Sequence, residues 1–308
     1  MKELRPIGEP LSAVEFFDPR ALKETEPDAL LGFESHRRVV MALAWQAAAR
    51  RLLYSILLFG WPGTGKGVFP RWIAGELSRA GLDCFLITIQ CCRLALSSAE
   101  EMRKQLSKVD AVIANRRFRP TIVSLEEIDA LREAREEDPA QTYPYEWAFR
   151  LLSLESTAGG AVVFGVTNEP LRVDPALRAK LRHAMFLNVP NLDDAAALLK
   201  RNGIPEAKAK KVARGLFLRP DNLEVAYSGR GLISGAKYLT QLEEDLRFLK
   251  SSEISDRVME ASGAVQPEEL CRYKEENWHW IARSHALLEL AGRTWTRLFP
   301  GGEAKVLP

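Results

Sequence analysis

Gly60-Trp61-Pro62-Gly63-Thr64-Gly65-Lys66 constrains this 308-residue chain more than any other segment. It satisfies G-x-x-x-x-G-K, and it lies between an apolar run, Leu53 to Phe59, and a stretch of helical character, Gly67 to Arg79. Such a loop wraps a phosphate in backbone N–H groups, and its glycines leave room for that approach. The helix N-terminus behind it favours an anion. Lys66 is expected to set its ammonium against the β- and γ-phosphates. Gly60, Pro62, Gly63, Thr64, Gly65, Lys66, Gly67 and Val68 are therefore the expected nucleotide contacts. A glycine-rich turn with a solvent-exposed lysine is the plain alternative, and the flanking strand and helix argue against it.

The alternation continues. Cys84 to Ile89, Thr121 to Leu125, Ala161 to Thr167 and Met185 to Val189 read as further strands. Ser35 to Arg51, Ser98 to Ala114 and Tyr145 to Leu154 read as helices. Strands alternating with helices imply an α/β fold, here the P-loop NTPase arrangement of a parallel sheet with helices on both faces. After Pro190 the strands stop. Asp193 and Asp194 open a helix that Lys200, Arg201 and Gly203 close, with charges of the signs that the helix dipole favours. Pro205 can start a second helix that Gly215 ends, and Leu239, Leu242, Leu246 and Leu249 share one face of a third. The expected division is an N-terminal arm over 1–29, a nucleotide-binding domain over 30–190, a small all-α lid over 191–252 and C-terminal helices over 253–308.

Composition narrows the class. Hydrophobic residues at 46% and charged residues at 27% suit a globular protein with a sizeable core. A net charge of +2 is too mild to argue for a nucleic-acid partner. Lys208, Lys210, Lys211 and Arg214 form a basic helix segment, read first as a solvated lid surface. Trp278, Trp280 and Trp295 read as packing residues rather than a base-stacking platform. The start has no apolar run and no stretch reads as a transmembrane helix, so a cytoplasmic protein is expected. Cys84, Cys91, Cys92 and Cys271 lack metal-ligand spacing and read as reduced thiols.

Thr121 to Asp129 is an apolar strand that ends in carboxylates, Glu126, Glu127 and Asp129. Acids just past a buried parallel strand lie at the carboxyl edge of the sheet, where ligands bind. The first, Glu126, is expected to hold Mg²⁺ through water, and the second, Glu127, to polarise the attacking water. Acids are plentiful nearby (Glu133, Glu136, Glu137, Asp138), so position rather than charge carries the reading. Asn168, after the fourth of the strands, offers an amide that can orient that water, or a simple turn residue before Pro170.

These residues resemble the AAA+ ATPases, in particular the AAA branch, over 30–245. Leu30-Leu31-Gly32-Phe33-Glu34 looks like the family's lead-in beside the adenine, and Gly60 to Lys66 like its phosphate loop. Glu126 to Leu131 is similar to its D-E-I-D-A-L segment. Thr167-Asn168-Glu169-Pro170 with Asp174-Pro175-Ala176-Leu177 looks like its T-N-x-P…D-P-A-L segment, which makes Asn168 the first sensor. Ser234-Gly235-Ala236-Lys237 resembles the S-G-A segment of the lid, which makes Lys237 the candidate second sensor. The resemblance also implies that the strand ending at Thr167 inserts between the phosphate-loop strand and the acidic strand.

The chain departs from the family pattern at informative places. Gly67 stands where a hydroxyl residue usually ligates magnesium, and Glu126 replaces the usual Asp. Arg178, Lys180 and Arg182 occupy the arginine-finger stretch, and Arg182 is the best match. Cys91 to Ser98 lacks the aromatic residue and glycine of a substrate-threading loop. The resemblance implies ATP and Mg²⁺ as cofactors and a homo-oligomer that remodels a protein or nucleoprotein client. A nucleotide-dependent scaffold with little turnover is the alternative. A nucleoside monophosphate kinase is a third reading, against which Asn168 and the helical second domain argue.

Overall fold

A computed structural model of the chain describes residues 13–23, 32–132, 142–217, 229–241, 250–262 and 267–298. The α/β part contains strand β1 (Val14–Phe17), helices α1 (Pro19–Lys23) and α2 (Glu34–Arg50), strand β2 (Leu53–Gly60), helix α3 (Phe69–Arg79) and strand β3 (Phe85–Gln90). It continues through helices α4 (Cys91–Ala95) and α5 (Ala99–Ile113), strand β4 (Thr121–Glu126), helix α6 (Thr142–Ser153), strand β5 (Ala161–Thr167), helix α7 (Pro175–Lys180) and strand β6 (His183–Leu187). Helices α8 (Leu192–Arg201), α9 (Glu206–Phe217), α10 (Gly229–Gln241), α11 (Ser251–Ser262), α12 (Pro267–Glu276) and α13 (Trp278–Leu298) follow. Among the described residues no helix is long and apolar enough to cross a membrane.

The six strands form one sheet in the order β1-β3-β4-β5-β2-β6, parallel except for β1, which pairs antiparallel with β3. The strand ending at Thr167 does lie between the phosphate-loop strand and the acidic strand. Because successive residues of a strand face opposite sides, each strand feeds two cores. Leu57, Phe59, Val123 and Val163 point into one layer with α5 and α6. Ile56, Leu58, Ile122 and Phe164 point into the other with α2 and α3. Strands covered on both faces need apolar residues at every position, which is why they read as unbroken apolar runs.

Register fixes where the chemistry falls. Phe59 pairs with Thr167 and Glu126 with Val166, so β2, β4 and β5 end level with one another. The phosphate loop, the acidic segment and Asn168 leave the sheet at the same edge.

The helical part has its own core. α8 opens with a capping box between Asn191 and Asp194. Leu199, Val212, Leu216, Leu232, Ile254 and Val258 from α8 to α11 meet in one cluster. Ser255 Oγ also donates to Val212 O (3.1 Å). The boundary placed at residue 252 from sequence therefore cuts into α11, which packs with the lid.

The remaining helices return to the α/β part. Trp280 is buried in the α5–α6 layer, and Leu287 and Leu288 pack against the other. Ser284 Oγ accepts a hydrogen bond from Phe186 N–H (2.9 Å), while His36 Nε2 donates to Phe186 O (3.0 Å). Residues 13–23, expected as part of an N-terminal arm, pack into the α/β part. Phe17 and Leu22 are fully buried against α3, and β1 completes one side of the sheet. Burying each such side chain contributes about 1.5–3 kcal/mol. Leu242, Leu246, Leu249 and the acids from Glu133 to Asp138 lie outside the described residues, as do Leu30, Leu31 and the side chain of Trp295.

Candidate functional site

The loop after β2 is a succession of turns, and α3 begins at Phe69 rather than at Gly67. Val68 N–H and Phe69 N–H both donate to Gly65 O at 3.0 Å, tightening the entry to the helix. Gly63 (φ 79°) and Gly65 (φ 96°) adopt left-handed backbone that a side chain would strain. Thr64 Oγ1 donates to Trp61 O (2.9 Å).

Lys66 is 7% exposed, and its ammonium folds back onto the loop, donating to Gly60 O and Trp61 O at 2.8 Å each. Burial pulls its pKa down to about 7. Attraction from Glu126 opposes that fall, and repulsion from Arg230 adds to it. The loop thus holds a poorly solvated amine that gives up its proton near pH 7, and an anion beside it would restore the charge.

Glu126 is the last residue of β4. Ser124 Oγ donates to its Oε1, and Lys66 and Arg71 both draw on its charge. Burial raises its pKa, against the Ser124 hydrogen bond and the Arg71 guanidinium. Arg71 packs over the Phe17 ring at 4.5 Å and reaches Glu15 at 3.7 Å, so β1 helps to fix a charge beside the acidic strand.

Glu127 leaves the strand with φ 54°, an uncommon conformation for a residue other than glycine, and its side chain is exposed. Backbone strain of this kind concentrates at functional sites. The Cys92 thiol faces it: burial, then the hydrogen bond to Glu127, pushes that thiol up. All four cysteines are free.

Asn168 follows β5 and is exposed. The two strand ends are tied together beneath it, because Thr167 Oγ1 donates to Asp129 Oδ1 and accepts from Glu169 N–H (2.9 Å). A third tie comes from α12, where Tyr273 Oη donates to Asn168 O (2.8 Å) and the ring meets Trp61 edge-on at 5.5 Å. Burial pushes the Tyr273 phenol up, so it stays a donor. Sequence reading did not single out Tyr273, and no local pattern marks it.

Arg230 is a lid residue that meets the phosphate loop, a place for which the sequence pointed to Lys237. Its backbone N–H donates to Gly63 O (3.0 Å), and its charge acts on Lys66. Lys237 is exposed and stands seven residues further along α10, about 10 Å away by helical rise. Ser-Gly occurs twice here, at Ser228-Gly229 and Ser234-Gly235, and the earlier pair was the signal for Arg230. On the lead-in segment, Gly32 abuts the lid: a Cβ there would stand 2.5 Å from Asp194 Cγ.

The three basic residues after Asp174 have different surroundings. Arg178 donates to Pro170 O (3.1 Å) and Leu171 O (3.2 Å) and packs over Trp280. Lys180 lies over the Phe149 ring at 5.0 Å. Arg182 is exposed, and its guanidinium has no hydrogen bond to a described residue, while Arg283 donates to its backbone carbonyl (3.1 Å). In the segment expected to correspond to a threading loop, α4 is followed by Leu96, 86% exposed.

Residues 56–191 match the family described as ATPase family associated with various cellular activities (AAA). Vacuolar protein sorting-associated protein 4B of Pongo abelii is 26% identical over 173 residues, covering 52% of this chain and 36% of that protein. The chain thus spans about a third of that relative's length. Among solved structures, the FIGL-1 AAA domain in complex with ADP superposes with a TM-score of 0.60 at 16% identity, over 83% of this chain and 90% of that one. A structure described as the basis for katanin self-assembly gives 0.58 at 17%, over 84% and 92%.

Two outcomes are expected. Above pH 7 the ligand-free Lys66 is largely neutral, so ADP binding at pH 8 should take up about one proton, and at pH 6 much less. Calorimetric titration in two buffers of different ionisation enthalpy reads this directly, and no uptake at pH 8 would remove Lys66 from the phosphate contact. Arg230→Ala should weaken ATP binding by about tenfold, the loss of one charge-assisted contact, while Lys237→Ala leaves it unchanged. The reverse pattern would restore Lys237 as the lid contact.

Proposed function

We propose, for a chain whose residues 56–191 belong to the AAA ATPase family, that it binds ATP with Mg²⁺ and hydrolyses it. We assign the work of that hydrolysis to an oligomer that remodels a protein or nucleoprotein client. The observation that carries this reading is the convergence of Lys66, Glu126, Glu127 and Asn168 on one sheet edge, beneath a lid whose Arg230 N–H is hydrogen-bonded to the phosphate loop.

Each residue has a role suited to its placement. The loop's N–H groups and Lys66 hold the phosphates, with the ammonium exchanging its two carbonyl acceptors for phosphate oxygens. Arg230, carried by the lid, adds charge on the γ-phosphate side. Glu126, together with phosphate oxygens, would hold Mg²⁺, and the ion when bound would supply positive charge against the phosphates. Glu127, exposed and held in left-handed backbone, accepts a proton from the attacking water, which the Asn168 amide orients.

Assembly rests on Arg182. It is the basic residue of its stretch that the fold leaves presented to solvent, which suits it to act in trans on a neighbouring subunit's phosphoryl group. Similarity to a fold whose described subject is self-assembly supports the same reading. A second reading, a nucleotide-dependent scaffold with little turnover, is favoured by one observation, the missing hydroxyl at Gly67.

Glu127→Gln should keep ATP affinity and lower turnover by about a hundredfold or more, because the amide keeps the shape but cannot take a proton. Equal turnover in the variant would move the base elsewhere. Slow turnover in the unsubstituted protein, with no effect of the substitution, would favour the scaffold. Arg182→Ala protein should be inactive alone, yet regain activity when mixed with Lys66→Ala protein, since mixed neighbours then form one intact composite site. Activity independent of protein concentration and of mixing would rule out a residue supplied in trans.

A further inference from the structure

The missing hydroxyl at residue 67 and the long acid at residue 126 belong to one arrangement. An ideal Cβ built on Gly67 would stand 3.2 Å from Glu126 Oε2, 3.8 Å from Cδ and 4.0 Å from Oε1. The nearest of these is tighter than ordinary van der Waals contact. The carboxylate therefore lies in the space that a serine or threonine side chain at residue 67 would need. We propose that Glu126 ligates the divalent cation directly, taking over the place of the hydroxyl that residue 67 lacks. This assignment rests on the nucleotide reading above.

The geometry supports direct ligation in three ways. Ser124 Oγ, itself 1% exposed, donates to Oε1 and pins the carboxyl group so that Oε2 faces the phosphate loop. Glutamate reaches one methylene further than aspartate, about 1.5 Å of added length, and here that reach sets Oε2 beside residue 67 of the loop. Magnesium accepts one or two carboxylates beside substrate phosphates, so an anionic oxygen serves where a neutral hydroxyl would. The two substitutions are also interdependent. A side chain at 67 presses on the Glu126 carboxylate, which must give by a few tenths of an ångström to admit it, and a shorter acid at 126 draws back from the loop. Restoring threonine or serine at residue 67 alone is therefore expected to displace the carboxylate rather than to add a ligand beside it.

Mn²⁺ with ADP, followed by the loss of the free-ion EPR signal, tests this without recourse to turnover. Four proteins are compared: the unsubstituted chain, Gly67→Ser, Glu126→Asp, and the double variant. Each single substitution is expected to weaken Mn²⁺ in the ADP complex by about tenfold or more. The double variant is expected to recover most of that loss, because the shorter acid makes room for the hydroxyl. Glu126→Asp adds no atom, so it reads the reach of the acid even if Gly67→Ser folds poorly. Unchanged Mn²⁺ affinity in Glu126→Asp, tighter Mn²⁺ in Gly67→Ser, or losses that simply multiply in the double variant would each overturn the proposal. Metal-free ADP binding is titrated separately for each protein, so that the Mn²⁺ affinity is read relative to that protein's own nucleotide affinity. Failure of the unsubstituted protein to bind ADP at all would overturn the nucleotide reading itself, whereas intact ADP binding with unchanged metal affinity overturns only the role of Glu126.

Discussion

Everything at the site depends on the parallel ladder β4–β5–β2. Its hydrogen bonds hold three chain segments, far apart in sequence, so that they leave the sheet level with one another. A slip of one residue would send the buried side chains of a strand to the opposite face, and both faces are already filled. Packing therefore fixes register, and register fixes the separation between phosphate loop, acids and Asn168. The link from Thr167 to Asp129 adds a local clamp to this, but it acts on ends that the ladder has already aligned.

Much of this was legible in the sequence, for a physical reason. Strands buried on both faces must be apolar throughout, so β2 to β5 stood out as runs with sharp ends, and the glycine-rich loop marked which end carried the ligand. The less legible parts lack such a signature. β1 has only four residues, two of them half-buried, in a stretch crowded with proline and acids. α11 reads as a helix, but amphipathic spacing does not say which neighbour its apolar face will meet. Arg230 was obscured by a repeated Ser-Gly pair that only the docking of α10 separates. Tyr273 is 105 residues from Asn168, and a contact of that range leaves no local trace.

Charge at the site is arranged around one ammonium. Lys66 has exchanged water for two carbonyl oxygens of its own loop, which take two of its three donors without cancelling its charge. Glu126 supplies partial compensation from the sheet, and Arg230 withdraws some of it from the lid. Because the Arg230 amide also holds Gly63 O, a movement of α10 alters the shape of the loop and its electrostatics together. The lid thereby takes part in setting the charge of the loop, as well as covering it.

The contacts at Phe186 have a consequence beyond packing. β6 is the outermost strand on its side of the sheet, and such a strand ordinarily presents unpaired backbone groups that can recruit a further strand. Here the outward groups of Phe186, the fourth of its five residues, are occupied by side chains: the Ser284 hydroxyl takes the Phe186 N–H, and the His36 ring takes its carbonyl. α13 lies along the strand and blocks the approach. On this flank the sheet is sealed against strand addition, so a chain stopped before residue 267 would expose a template for edge-to-edge association rather than merely lose a helical appendage.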